Sequence, residues 1–532
     1  MKPPEKNPGG PGGSAIRQAA VLALIFIAVT IIAGKMRPGG VSLVLEPVKP
    51  QFTHDEFIRY KLRVRPGWLQ KQLRATVFSA QVVQNGVPIR TIGGQKGIRL
   101  SYDRGVGEWE GDWPCPWNAP EGFYEVKLST EALPPAAGSL KITARPFEII
   151  GRKPAPFPNG FAVLTVEDLT DLRGIHWPGP DGKKGDWRVL VDWAKFIHAD
   201  ALWILSADSG GYSIKPPDDH PWNDRAVSTI RALGAECHRR GIKFGVWTMC
   251  YLIGGSPDRS PNYAYAWEYN HGRLTDDRNR PGRRAVSILD AKRPHDIAQL
   301  VSSWAALPEV DYVGLDYIRN ALGGYEAADQ FVEEMRISVP PQWNQWSKSE
   351  RMLWVARKKV ARKDAGFIDA WQWWRAHKVS AIIRTIKTAV GTRKPLWVFT
   401  LSWDRGWQHG QDPIMFRDAG ADLDAIMLYE CDKEQFDGLI KDWEGYLRAG
   451  QVNLLAGDCV DWVLHQRDPA GPQEFKRRIL MGYHHLNRNG PVKGIFIHDL
   501  FRALRGRTGP WGTRGWMGAA AQVIAEIKGS SS

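Results

Sequence analysis

The stretch VDYVGLDYIRN, residues 310 to 320, runs through apolar, β-favouring positions and then delivers a carboxylate, Asp316, beside an aromatic, Tyr317, and a cation, Arg319. An acid placed this way is either ion-paired to the neighbouring arginine or lines a cleft and handles protons. The rest of the chain favours the second. Seven further apolar runs end near polar groups, giving Glu167 and Asp168, Asp208, Tyr251, Asp404, Glu430, Asp458 and Asp499, so that seven of eight ends carry an acid. Carboxylates gathered in pairs are what glycosidic bond cleavage requires. One, as the acid, protonates the leaving oxygen, and the other attacks the anomeric carbon or activates water. Trp247, Tyr251, Trp403 and Tyr429 lie at or near these ends and offer flat faces to sugar rings. Asp208, Asp404, Asp458, His498 and Asp499 are the candidates for holding sugar hydroxyls.

Such acids need a scaffold that brings eight strand ends to one mouth. The apolar runs FAVLTV (161 to 166), ALWILSA (201 to 207), KFGVWTM (243 to 249), DYVGLDY (311 to 317), PLWVFTL (395 to 401), DAIMLYE (424 to 430), VNLLAGD (452 to 458) and GIFIHD (494 to 499) alternate with amphipathic segments. Eight buried strands, each followed by a helix, are the sequence form of a (β/α)8 TIM barrel, whose reactive groups occupy the C-terminal strand ends. A doubly wound sheet would call for a glycine-rich nucleotide fingerprint after a strand, and none is present. One insertion, residues 318 to 394, interrupts the rhythm after the fourth strand. It holds a basic amphipathic stretch, SKSERMLWVARKKVARKDAG, and then a second helical segment. The basic stretch suits an anionic surface or a solvated helix equally.

Before the barrel, residues 40 to 150 form short alternating runs broken by Gly, Pro and Asn, the punctuation of an all-β immunoglobulin-like sandwich. The segment GEWEGDWPCPWNAPEGFYEVKL reads as strand, Pro-rich turn and strand, and resembles the closing hairpin of bacterial immunoglobulin-like accessory domains. The Pro/Gly-rich stretch 151 to 160 is the expected linker, and the barrel domain is expected over 161 to 530. Residues 1 to 39 are expected to form a cytoplasmic tail and a membrane anchor. Ala19 to Gly34 are 16 uncharged, mainly apolar residues with basic residues on both sides, slightly short of the ~20 of a comfortable span. No A-x-A-type processing site is evident, which favours an uncleaved transmembrane helix with the bulk of the chain outside the cytoplasm, in a bacterial periplasm or at the cell surface.

The formal net charge is +14. Residues 1 to 37 carry five Lys or Arg against one Glu, which leaves +10 spread over the remainder. No dense basic block with nucleic-acid motifs occurs, so nucleic acid is not an expected partner. The five cysteines lie far apart without a C-x-x-C pair, which excludes a zinc ribbon and a dense disulfide framework. A metal-dependent hydrolase is disfavoured as well. There is no H-E-x-x-H, the first strand is followed by EDLTD rather than a histidine pair, and the adjacent His484 and His485 would point about 100° apart on a helix. No cofactor and no catalytic metal are expected; a structural Ca2+ at acidic loops stays open.

The run VGLDYIRN, followed after an insertion by FIDAWQWWRAHKVSAIIRTIKTAV, PLWVFTLSW and FRDAGADLDAIMLYE, resembles the bacterial glycosyl-hydrolase-like TIM-barrel proteins of the lipoprotein type. In that family a strand-four Asp-Tyr-x-Arg precedes a helix bearing Trp-Arg, the next strand ends in a Ser-containing turn and a following strand ends in Tyr. SILDAKRPHDIAQLV, residues 287 to 301, is similar to the family's segment leading into the helix before strand four. The resemblance covers roughly residues 160 to 500 and is densest between 285 and 430. It implies a glycosidase-like fold in which Asp316 matches the strand-four acid and Arg319 and Arg375 match its basic partners. Glu430, directly after Tyr429, departs from the pattern, so the second carboxylate is not fixed by the resemblance.

The expectation is therefore a membrane-anchored, extracytoplasmic glycoside hydrolase acting on a polysaccharide or oligosaccharide, with Asp316 as nucleophile or general base and Glu430 as general acid. Asp458 is the alternative second carboxylate. Tyr317, Arg319, Asp208, Trp247, Tyr251, Arg375, Trp403, Asp404, Tyr429, Asp458, His498 and Asp499 are expected to bind substrate. The rival expectation is a non-catalytic carbohydrate-binding or cell-envelope scaffold built on a degenerate barrel, since fold alone does not establish activity.

Overall fold

The structure, a computed structural model, describes residues 42–531 apart from 66, 96, 130–140, 168–171, 173, 208–223, 253–264, 271–272, 275–284, 322, 430, 463–470 and 487–491. The expected membrane segment, 19 to 34, lies outside the described residues, as do Glu430, Asp168 and Asp208. No helix among the described residues is long and apolar enough to cross a membrane.

The chain divides into two compact units. The first is mainly β, with one short helix, Gly67–Leu73, and comprises the described residues up to Phe52, Phe57–Cys115 and Glu121–Ile149. Its ten-stranded sheet is mostly antiparallel, with Ser42–Pro47 pairing in parallel with Lys141–Ala144. Strand Phe57–Arg65 shows why the segment folds this way. Ile58, Tyr60, Leu62 and Val64 are buried while Arg59, Arg63 and Arg65 face water, the alternation of a half-buried strand. One expectation is corrected. Glu108–Pro114 and Gly122–Leu128 are both strands, but they are not partners in a hairpin. The former pairs with Phe57–Arg65 and Ile98–Asp103, and the latter with Phe78–Gln84 and Phe147–Ile149. Pro114, Pro116 and Pro120 between them carry no N–H with which to continue a ladder.

The second unit comprises Thr53–Glu56, Pro116–Pro120 and Ile150–Ser532, and it holds a closed barrel of eight parallel strands. In chain order these are Phe161–Val166, Ala201–Ala207, Lys243–Met249, Tyr312–Asp316, Leu396–Leu401, Leu423–Met427, Leu454–Cys459 and Gly494–His498. The first strand closes the barrel by pairing with both the second and the eighth. The interior is filled by Trp203, Trp247, Trp397, Phe399 and Phe496, among others. Glycines make room for these rings. A Cβ at Gly314 would overlap the Trp397 indole, one at Gly245 the Trp203 indole and one at Gly457 the Phe496 ring. A second apolar layer, containing Val313, Leu315, Ala456 and Ile497, faces the surrounding helices. All five cysteines are buried.

At the N-terminal mouth, acids are used to tie the barrel together. Asp200 accepts the N–H of Ala162 at 2.8 Å, Asp311 that of Phe244 at 2.8 Å and Asp422 that of Leu396 at 3.0 Å. Each is also ion-paired, to Lys528, to His238 and Lys243, and to Lys387 respectively. The insertion after the fourth strand contributes the helix Lys348–Ala361, begun by a Ser347/Glu350 capping box, and leads into the long crossover helix Ala365–Val390, capped by Asp364.

Candidate active site

Strand Tyr312–Asp316 carries an acid at each end, and the two differ in kind. Asp311, just before it, is tied by His238 at 2.8 Å and Lys243 at 3.2 Å. Burial pushes its carboxyl up, but the Phe244 N–H, His238 and Lys243 outweigh burial and hold it below its usual range. Asp316, at the C-terminal end, shares the inward face with Tyr312 and Gly314 by the two-residue period of a strand. It is buried, 7% exposed, and accepts the Tyr317 N–H at 2.6 Å. Arg319 does not pair with it. That guanidinium stacks over the Tyr317 ring at 4.6 Å and donates to the Asn320 carbonyl at 3.0 Å. Burial, and after it the charge of Glu167, push Asp316 up to about 6.

Asp316 lines a cavity of about 580 Å3. Glu167, Tyr317, Arg319, Trp403, Tyr429 and His498 share its wall, together with Arg362, His409 and Arg502. The second carboxylate in the cavity is thus Glu167, one residue beyond the first strand. Its oxygens face His498 Nε2 at 3.1 Å and Arg502 at 3.2 Å. Burial acts to raise its pKa, but His498 and Arg502 prevail and hold the carboxyl well below the usual range. His498 is itself fixed. Its Nδ1 lies 2.9 Å from the Thr165 hydroxyl, and its ring stacks on Tyr429 at 5.2 Å with the planes 3° apart. Burial lowers its pKa, yet Glu167 and Asp499 raise it further, so the net shift is upward and favours the imidazolium that Glu167 needs. The two carboxyls of this cavity are therefore shifted in opposite directions, so that in mildly acidic solution, below about pH 6, Asp316 holds its proton while Glu167 is ionised. Surroundings that drive a pair of acids to opposite protonation states assign acid and base roles.

Several expected substrate contacts lie elsewhere. Trp247 is fully buried inside the barrel, 5.8 Å from Trp397 and 5.7 Å from Phe399, and packs the core instead of facing a sugar. Tyr251 is buried in the layer under the helices, where its carbonyl accepts the Val286 N–H at 2.9 Å. Asp458 stands on the wrong face of its strand. Leu455 and Cys459 point into the barrel, so the alternate residues Leu454, Ala456 and Asp458 point toward the helices, where Arg478 acts on the carboxyl. Asp404 is on the exposed side of the turn Trp403–His409 and accepts from Gln372 at 3.1 Å. Asp499 caps the helix Leu500–Leu504 through the Phe501 N–H at 3.0 Å and also accepts the Glu167 N–H at 2.9 Å, so it positions Glu167 from below. Arg375 does not line the cavity; it is buried and donates to the Gln408 carbonyl at 2.7 Å. Trp516, in polar surroundings along the chain, is buried as well and donates to the Thr508 carbonyl.

Among the described residues no cluster of three or more His, Cys, Asp or Glu side chains is arranged to hold a metal ion. No protein-family model and no curated protein matches the chain. Solved structures do. The β-galactosidase from the psychrophilic Marinomonas ef1 is 11% identical, with 69% of this chain and 59% of that chain covered and a TM-score of 0.44. The α-L-fucosidase isoenzyme 2 from Paenibacillus thiaminolyticus is 10% identical, with 69% and 49% covered and a TM-score of 0.41. An α-amylase from Malbranchea cinnamomea is 13% identical, with 70% and 77% covered and a TM-score of 0.35. The chain spans about half to three fifths of the length of the first two.

Proposed function

We propose that the chain is a glycoside hydrolase in which Asp316 is the general acid and Glu167 is its carboxylate partner. The observation that carries this reading is the divergence of the two acids in one cavity, Asp316 raised to about 6 and Glu167 held ionised by His498 and Arg502. Asp316 would give its proton to the glycosidic oxygen as the bond breaks, and the Glu167 carboxylate would stabilise or attack the anomeric centre, or draw a proton from water there. This assigns Asp316 the opposite role to the one expected from sequence, because Glu167 is the group kept charged. Trp403, Tyr317 and Tyr429 line the cavity as surfaces for the sugar. The uncharged run 19 to 34 supports placing the activity at a membrane, outside the cytoplasm.

The test is reducing-end release from a panel of neutral, amino-sugar and acidic polysaccharides by the wild type, Asp316→Asn and Glu167→Gln. Release by the wild type should fall by about two or more orders of magnitude in each variant, the range expected for removal of a positioned acid or base. Binding without release in the wild type would instead support the carbohydrate-holding scaffold. Undiminished release in Asp316→Asn would remove that residue from the mechanism.

A further inference from the structure

The cavity is also lined by Arg319, Arg362 and His409, which differ in chemistry from Asp316 and Glu167 and are not used in bond cleavage. Arg375 and Lys359 stand close enough that both act electrostatically on His409, as Arg319 does. Among the described residues none of Arg319, Lys359, Arg362 and Arg375 is ion-paired with a carboxylate, whereas Arg502, which lines the same cavity, is paired with Glu167 and Asp461. Arg319 and Arg375 are more than nine-tenths buried, and the Nε of each lacks a hydrogen-bond partner. Glu268, the acid whose field reaches Lys359 and Arg375, uses its oxygens to hold the N–H groups of Ala321, Gly323 and Gly324 at 2.9, 2.6 and 2.7 Å.

Buried guanidinium groups such as Arg319, at the cavity wall, and Arg375 are costly outside an ion pair unless an anion completes the site. The crowding is visible in their protonation. Burial, followed by Arg375 and Arg362, pushes Lys359 down to about 7, and burial with the Arg319 charge pushes Arg375 down to about 10 against Tyr325 and Glu268. A planar guanidinium presents a fork of donors that matches a carboxylate in two-point geometry. We propose that the Arg319, Arg362 and His409 side of the cavity binds a ring carboxylate of the substrate, so that the glycan taken here carries uronic acid residues. This rests on the hydrolase reading for its place in a reaction, but not for the binding itself.

Calorimetric titration keeps the two apart. Oligosaccharides of galacturonic, glucuronic and mannuronic acid, each beside its carboxyl-reduced counterpart and beside a sulfated galactan oligosaccharide, are titrated into the full chain carrying Asp316→Asn. At least one uronate should bind about tenfold or more tightly than its reduced partner, the loss expected when a charge-assisted bond is removed. That preference should disappear in Arg362→Gln, whose exposed side chain leaves the core untouched, and weaken in Lys359→Gln, with circular dichroism unchanged in both. Equal binding of every uronate and its reduced counterpart overturns the proposal, and so does tighter binding of the sulfated glycan. A uronate preference lost in Arg362→Gln, in a protein that releases no reducing ends from any glycan, would keep the carboxylate site and discard the hydrolase. Release from neutral glycans that is indifferent to Arg362 and Lys359 would do the reverse.

Discussion

At the scale of single residues the question is which proton moves at which pH. Asp316 must be protonated to act as the acid, and with its carboxyl raised to about 6 it loses that proton as pH rises through 6. Glu167 must be ionised, and His498 with Arg502 keeps it so down to pH values below the usual carboxylate range. Activity should therefore be flat through the mildly acidic region, and kcat/KM should fall about tenfold per unit above pH 6. A profile rising toward pH 8 would give Asp316 the opposite role. The coupling has a second signature. Some of the rise at Asp316 comes from the negative charge of Glu167, so Glu167→Gln should move the Asp316 carboxyl titration, followed by carbon NMR, to lower pH. An unmoved midpoint would mean that the two acids do not share a field.

At the scale of the strand, the two-residue period decides what an acid can do. Asp316 and Asp458 both end barrel strands, yet Asp316 faces the cavity and Asp458 faces the helices. Burial pushes Asp458 up to about 7, against the charge of Arg478. An unfolded aspartate titrates near ~3.9, so the folded chain binds this proton more tightly than the unfolded one. Stability from this group is full below about pH 4 and is lost as pH rises toward 7, at about 1.4 kcal/mol per unit. Asp458→Asn, neutral throughout, should therefore gain on the wild type in denaturant unfolding between pH 4.5 and 7.5. Parallel stability curves for the two proteins would reject the buried, protonated assignment. This difference in facing also marks how far the sequence could be read. All eight strands are legible because strands covered on both faces read as unbroken apolar runs. Asp316 is legible because it ends one of them. Which face Trp247 or Asp458 takes depends on whether the barrel interior receives the odd or the even residues, and an unbroken apolar run does not encode that. Glu167 stands in the right place in the chain, but its partners His498 and Arg502 are more than 300 positions away and meet it only when the eighth strand closes against the first. The hairpin expected in the β unit fails for a similar reason, since Glu108–Pro114 turns to Phe57–Arg65 and Ile98–Asp103 and Gly122–Leu128 to Phe78–Gln84 and Phe147–Ile149.

At the scale of the whole molecule, charge would decide how the proposed anionic glycan arrives. The chain carries 71 Lys and Arg against 57 Asp and Glu. At the N-terminal mouth of the barrel the acids Asp200, Asp311 and Asp422 are each ion-paired with a cation, whereas at the cavity Arg319 and Arg362 are in no ion pair among the described residues, although the charge of Arg319 reaches Asp316. Positive charge outside any ion pair therefore lines the cavity proposed to take substrate, and a cationic cleft in a cationic protein raises the encounter rate of an anion over several ångströms. Such steering is screened by salt, with a Debye length of about 10 Å at 0.1 M. For a uronate glycan kcat/KM should fall several-fold between 0.05 and 0.5 M NaCl, while kcat, set after binding, should change little. The carboxyl-reduced glycan should show no such fall, and Arg362→Gln should flatten the slope for the uronate. If both glycans lost efficiency equally with salt, the effect would lie in the protein's own stability and the cationic side of the cavity would have no role in capture.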